Sequence, residues 1–439
     1  MVVPLRPRIT LSGAAAAVVA ALLLSADLLA APTRPAAPTA LPPLSLAVWL
    51  NHFPGEAQYY ADLTRSFEQA AGRKVNLYTQ EWSVCADQLK RWCKDQRAYA
   101  PDMVVVRDVD LPLVLGHIAS LEGRFPASFL RQLYPGPLAQ GRVQGILVAA
   151  PWQVWPKALY YRGDILRQKG LAPPKTPDEL LTVARAVADP PKLYGFGLSG
   201  RLGGGAADMF LLTLRAEGGV IFDRDGHLAV GADPSRRALK LWSDLTQSHA
   251  TQPEVLSWTD AELGDLFLEG RLAMLIERPW LLAQFRYTEP PFEVGIVPVP
   301  KAPGGCDSPR TDCVVVFDTA SDPDACCQFI YFALLRDQQR LLAKCGVPSA
   351  CRDANDTLPD DARWAAFRTA LANVRGPSPQ SWGAVAALYE RLLYLIVSGR
   401  IGVDEALEAM DVDLLGEPDN ERLAMPTPSS ADGKPREKL

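Results

Sequence analysis

Apolar positions from Leu44 to Leu50 form a short continuous run with the length of a buried strand, and a loop at 51–55 follows it. From about Ala57 to Ala71 apolar residues return at helical spacing, and Gly72 stops that helix. Val75 to Thr79 resumes as a strand, Cys85 to Tyr99 reads as a helix, and Asp102 to Val106 reads as a strand, apolar from Met103 on, that ends at Arg107 and Asp108. Strands without polar alternation, separated by amphipathic helices, predict an α/β fold whose mainly parallel sheet is covered on both faces. Ligands of such sheets sit beyond the carboxyl ends of the strands. The residues just past those ends, Asn51, His52, Phe53, Gln80, Glu81 and Asp108, are therefore the first candidates for a site.

The middle of the chain repeats the pattern. Leu159 to Tyr161 reads as a strand, and Thr176-Pro177 has the cap and first-turn residues of a helix. Gly203 to Gly205 opens a helix over Ala206–Ala216 that Gly218-Gly219 ends. Phe222-Asp-Arg-Asp-Gly226 predicts a tight hairpin turn; it lacks the spaced ligands and closing Glu of a calcium loop. Helices follow at 235–248, 323–335, 337–343 and 381–398, with a strand at Val314 to Phe317 and a short amphipathic helix near Asp404. Phe267 to Trp280 reads as a helix end, a Gly stop, a buried strand and an indole at the strand's exit. After about Glu417 the chain is polar and Pro-rich.

Composition narrows the class. A chain of 439 residues, 48% hydrophobic and 22% charged, suits two globular domains. Its net charge of −5 gives no basic footprint for nucleic acid. Arg6 and Arg8 precede an uncharged Ala-, Val- and Leu-rich run from Ile9 to Ala26, and small residues at Ala30-Ala31 complete a secretory signal over 1–31. An uncleaved anchor helix is the alternative reading of this segment. Residues 32–43 are Ala- and Pro-rich and read as an extended tether.

Several pieces together resemble the extracellular solute-binding proteins of ABC importers, in the branch that includes maltose- and trehalose-binding proteins. The family's Gly-Pro-Trp pattern corresponds to Arg278-Pro279-Trp280, and its Tyr-Asn-Lys-Asp-Leu segment to Tyr161-Arg-Gly-Asp-Ile165. Its Pro-Pro-Lys-Thr loop corresponds to Pro173–Thr176 and its Glu-Ala-Leu to Glu405–Leu407, in the family's order over roughly 44–415. The resemblance implies a two-lobed periplasmic-binding-protein clamshell, each lobe a mainly parallel sheet flanked by helices. Lobe one would hold 44–150 and 301–347, lobe two 151–300 and 348–420, with a flexible tail at 421–439. It also implies a periplasmic monomer that binds a small carbohydrate and delivers it to the membrane subunits of a permease, with no cofactor.

Family binding positions map onto Asn51, His52 and Phe53, Asp108, Asp208, Trp280 and Trp382, and Trp152 and Trp155 lie beside Ala150-Pro151, where the resemblance implies the chain first crosses between lobes. A sugar ring offers an apolar face to flat aromatics and a belt of hydroxyls to carboxylates and amides. Trp280, Trp382 and Trp152 are candidate platforms, and Asp108, Asp208, Glu81 and Arg375 are candidate polar partners. Each has a plainer reading as core, cap or exposed loop. Trp49, Trp92, Trp242 and Trp364 read as packing. His and Phe in the first loop, and Asp208 where maltose binders place an aromatic, argue against maltose itself.

Other chemistries find less support. No G-x-S-x-G elbow, H-E-x-x-H or P-loop lysine occurs, and the chain reads as a binder rather than an enzyme. An accessory or sensor protein, or a binder of a non-sugar solute, is the alternative. Eight Cys in an exported chain suggest disulfides. Proximity pairs Cys85 with Cys93, Cys306 with Cys313 and Cys345 with Cys351, leaving Cys326 and Cys327 unassigned. Their spacing lacks paired C-x-x-C elements, and the scattered His52, His117, His227 and His249 do not form a zinc set.

Overall fold

A computed structural model describes residues 41–51, 53, 55–201, 205–221, 229, 233–285, 289–307, 310–372 and 382–408. The signal at 1–31, most of the tether, the expected turn at 222–226, His52, Arg375 and the tail lie outside them. Among the described residues no helix is long and apolar enough to cross a membrane.

The described residues form ten short strands: β1 (Leu44–Leu50), β2 (Val75–Glu81), β3 (Met103–Arg107), β4 (Arg142–Val143), β5 (Ile146–Leu147), β6 (Ala150–Trp155), β7 (Ala158–Arg162), β8 (Met274–Glu277), β9 (Val294–Val297) and β10 (Arg310–Val316). The chain divides into two units. The first lies within Met1–Lys157, Arg278–Glu289 and Pro309–Gly376, the second within Ala158–Glu277, Pro290–Ser308 and Pro377–Leu439.

The sheet of the first unit has the order β2-β1-β3-β10-β6. β1 is parallel to β2 and β3, whereas β10 runs against both β3 and β6. Its strands bury both faces by strict alternation. Leu44, Leu46, Val48, Met103, Val105, Val314 and Val316 enter one core, with Phe67, Phe329 and Phe332 from covering helices. Ala47, Trp49, Val104, Val106, Cys313 and Val315 enter the other, with Leu89, Trp92 and Phe317. Two apolar faces explain why these strands carry no polar alternation in the sequence.

Helices follow the expected periods with modest shifts of their ends. Glu56–Ala71 closes on Gly72 at φ 66. The helix expected to reach Tyr99 is Cys85–Cys93, after which Lys94-Asp95-Gln96 has no apolar face to bury and Arg97–Tyr99 forms a 3₁₀ turn. In the second unit Thr176 caps the Pro177–Val187 helix by accepting from Glu179 N–H. Ala206–Ala216 packs beside Trp382–Val397, with the Phe210 and Tyr389 ring centroids 4.5 Å apart. Trp49, Trp92, Trp242 and Trp364 are all core residues, at most 6% exposed.

Three expectations are corrected. In the second unit the sheet is β8-β7-β9, and β7 runs antiparallel to both neighbours, so parallel pairing is confined to β1-β2 and β1-β3 in the first unit. The boundaries also move. β6 is an edge strand of the first sheet, and Gln153 and Val154 hold Ser349 and Pro348 there by a bridge and a 3.0 Å backbone bond. Conversely Lys301, Ala302 and Cys306 bond the backbone of Lys175, Ala216 and Arg215 in the second unit.

Finally, no disulfide joins any of the eight Cys. Cys85 and Cys93 end one nine-residue helix, about 12 Å apart by helical rise and beyond the reach of a disulfide. Cys306 falls in the second unit and Cys313 inside β10 in the first. Cys345 turns its Sγ to the Leu341 carbonyl at 3.4 Å, while Cys351 is buried in the first core. Burial raises the thiol pKa of Cys85, Cys93, Cys313, Cys326, Cys327 and Cys351.

Candidate functional site

The carboxyl ends of β1, β2 and β3 converge on one edge of the first sheet, and antiparallel β10 brings its first residues to that same edge. Register places Leu50 opposite Glu81, Asp312 opposite Arg107 and Arg310 opposite Trp155. Asn51 and Glu81 follow directly: Asn51 N–H donates to Glu56 Oε2 at 2.8 Å, and Glu81 is exposed at the end of β2.

Alternating acids and arginines fill the edge. Arg310 Nε donates to Asp108 Oδ1 at 3.1 Å, and Gln140 Nε2 lies 3.4 Å from Asp108 Oδ2. Asp108 is therefore a buried ion-pair partner rather than an exposed loop acid, with 2% exposure. Arg107 pairs with Asp110 through Nε and lays its guanidinium over Trp82, 5.0 Å from the ring centroid. Asp312 accepts Trp155 Nε1–H at 2.7 Å. Burial pushes the Asp312 carboxyl above its ordinary range, against the pull of Trp155, Arg310, Arg107 and Arg278.

Aromatic rings lie next to these charges. Phe53 and Trp155 are a tilted pair with centroids 6.2 Å apart, and both are buried. Trp82 is half-buried, 6.1 Å from Trp49. Trp280 is half-buried at the second position of the Pro279–Gln284 helix, two residues after Arg278. Trp152 departs from its expected role: it is fully buried, donates from Nε1 to Tyr59 OH at 2.9 Å and packs on Tyr60 and Phe329.

Of the expected residues, Asn51, Phe53, Glu81, Asp108 and Trp155 share this edge. Asp208 is half-buried in the first turn of Ala206–Ala216 in the second unit. Trp382 opens the Trp382–Val397 helix, and its side chain is outside the described residues, as are His52 and Arg375. Sequence reading passed over Trp82, Gln140, Arg310 and Asp312. The charged start of an apolar strand, Arg310-Thr-Asp312, was the available signal. Among the described residues no group of His, Cys, Asp and Glu could hold a metal ion.

The family model for bacterial extracellular solute-binding proteins matches residues 53–340. The chain belongs to this family. A Brucella abortus (strain 2308) protein named as a binding protein is 23% identical over 374 residues, 80% of this chain and 87% of that one. A Deinococcus radiodurans protein named as an ABC transporter-binding protein is 28% identical over 212 residues, 46% of this chain and 50% of that one. Maltose-bound MalE3 of T. maritima superposes with a TM-score of 0.73 at 20% identity, covering 85% of this chain and all of that one. This solute-binding protein therefore has the two-lobed periplasmic-binding-protein fold. Family membership implies an exported protein with a small-molecule ligand and a permease partner.

Proposed function

We propose that this solute-binding protein captures a small carbohydrate, a disaccharide or modified sugar, and hands it unchanged to an ABC permease. The observation that carries the reading is the carboxyl edge of the first sheet, where Phe53, Trp155 and Trp82 lie among Asp108, Asp110, Asp312 and their arginines. Flat rings suit the C–H face of a sugar, and acids held by guanidinium groups suit its hydroxyls without large cost of reorganisation. Asn51, Glu81 and Trp280 complete the proposed contacts of the first unit; in the second unit, taken by itself, Asp208 and Trp382 are the candidate contacts. The similar T. maritima protein is bound to maltose, which supports a sugar as the class.

Ligand binding to the folded form raises the melting temperature by mass action. A thermal-shift screen over sugars, polyols, amino acids and polyamines tests the reading. A rise confined to saccharides supports it. A rise with anionic solutes instead would favour a non-sugar ligand, for which Arg107, Arg278 and Arg310 supply the positive charge. Silence across the panel favours an accessory or sensor role.

A further inference from the structure

One carboxylate ties the rings of this edge to its charges. Asp312 is 2% exposed on β10, with Arg107 of β3 on one side of the ladder and Gln153 of β6 on the other. Its Oδ2 accepts Trp155 Nε1–H at 2.7 Å. Immediately after it, between Asp312 and Cys313, the register of β10 against β6 shifts. Irregularities of this kind re-aim side chains beside functional sites. Trp152 and Trp155 are three residues apart and would face opposite sides of a regular strand, yet both enter the same core cluster. The shift thus turns Trp155 toward Phe53 at the site edge, and Asp312 fixes its indole there.

Arg310, Arg107 and Arg278 lie close enough to favour the Asp312 charge. Tyr60, Cys85 and Cys313 also feel that charge, and Asp108 and Asp110 stand beside Arg310 and Arg107. An acceptor for the indole N–H at this position has to be buried and polar, which a protein retains only where it is hydrogen-bonded and charge-compensated.

We infer that Asp312 is a positioning residue for the ligand site, holding Trp155 in the orientation that meets the solute; this rests on the reading that this edge binds the solute. Asparagine keeps an acceptor oxygen at the same place, whereas alanine does not.

The test uses the full exported chain titrated calorimetrically with trehalose, maltose and sucrose, with near-ultraviolet circular dichroism as a ligand-independent readout. Trp155→Phe first identifies the dichroism contributed by the Trp155 indole. In Asp312→Ala that contribution is expected to vanish and the affinity for whichever sugar binds the native chain to fall about tenfold, as for one lost buried hydrogen bond. Asp312→Asn is expected to restore both to within about threefold. Should Asp312→Ala not fold, Trp155→Phe and Asp312→Asn carry the comparison, the former expected to weaken binding and the latter to keep the indole signal. Native dichroism in Asp312→Ala, or its loss in folded Asp312→Asn, overturns the inference whatever the ligand. Failure of every sugar to bind the native chain, with the dichroism pattern as expected, overturns the sugar reading and leaves the positioning role supported.

Discussion

Arg310 Nε and Asp108 Oδ1, 202 positions apart in the chain, meet at 3.1 Å and join the start of antiparallel β10 to the loop after parallel β3. The Asp108 side chain is 2% exposed and that of Arg310 11%, so water screens the pair little. Removing one partner leaves the other charged and buried. Asp108→Ala is expected to cost about 3–5 kcal/mol in urea unfolding. By contrast Asp318→Ala, which breaks the half-exposed pair with Arg97, is expected to cost about 0–1 kcal/mol. Equal effects would contradict this ranking.

Trp152 tests the boundary between core and site. Its indole is fully buried and bonded to Tyr59 OH. Trp152→Ala should lower unfolding free energy by about 3–5 kcal/mol. Any weakening of ligand binding should then be explained by the loss of folded protein, and disappear when affinity is measured under conditions where the variant is native.

Trp280 predicts the opposite pattern. It is half-buried at the start of a short helix. Trp280→Ala is expected to change stability by less than about 1.5 kcal/mol and to weaken saccharide affinity at least about tenfold by calorimetry. Unchanged affinity in folded protein would remove Trp280 from the proposed contacts.

Much of the first unit was legible because its strands bury two faces. Val104 and Val106 enter one core while Met103 and Val105 enter the other, so the run carries no polar residue and announces a covered sheet. The rule that ligands sit past strand ends then led to Asn51, Glu81 and Asp108. Direction was not legible. An apolar run such as Val314–Val316 looks the same whether it lies parallel or antiparallel, and only the reversed direction brings Arg310 and Asp312 to the site edge. The register shift on β6 was equally hidden, which is why Trp152 and Trp155 read as a pair with one role. Neighbouring Cys suggested disulfides, but helical rise separates Cys85 from Cys93, and Cys313 lies inside β10 with its side chain in the core.

Thiol chemistry checks that correction. Under denaturing, non-reducing conditions all eight thiols should react with an alkylating reagent without prior reduction. In the native state the half-exposed Cys306 and Cys345 should be modified before the buried ones. A protein that gains labelling only after reduction would show that disulfides form.

Acid sensitivity has a named contributor. Arg73 holds Asp322 by a direct ion pair, and that bond draws the Asp322 carboxyl below its ordinary range, with the Ala325 N–H assisting. A depressed folded-state pKa means that the unfolded chain binds the proton first. The associated stability is present above the unfolded pKa of about 3.9 and is lost as pH falls through the lower folded value. Arg73→Ala should flatten the decline of stability measured below about pH 4. An unchanged slope would assign acid unfolding to other carboxylates.

The central claim is binding of a saccharide without its transformation. Calorimetric titration of the native chain with the saccharide that most raises its melting temperature, followed by chromatographic recovery of that sugar, tests it most directly. Saturable binding of one sugar per chain, with the sugar recovered intact, is the predicted result. No binding of any saccharide, or recovery of a cleaved product, would contradict it.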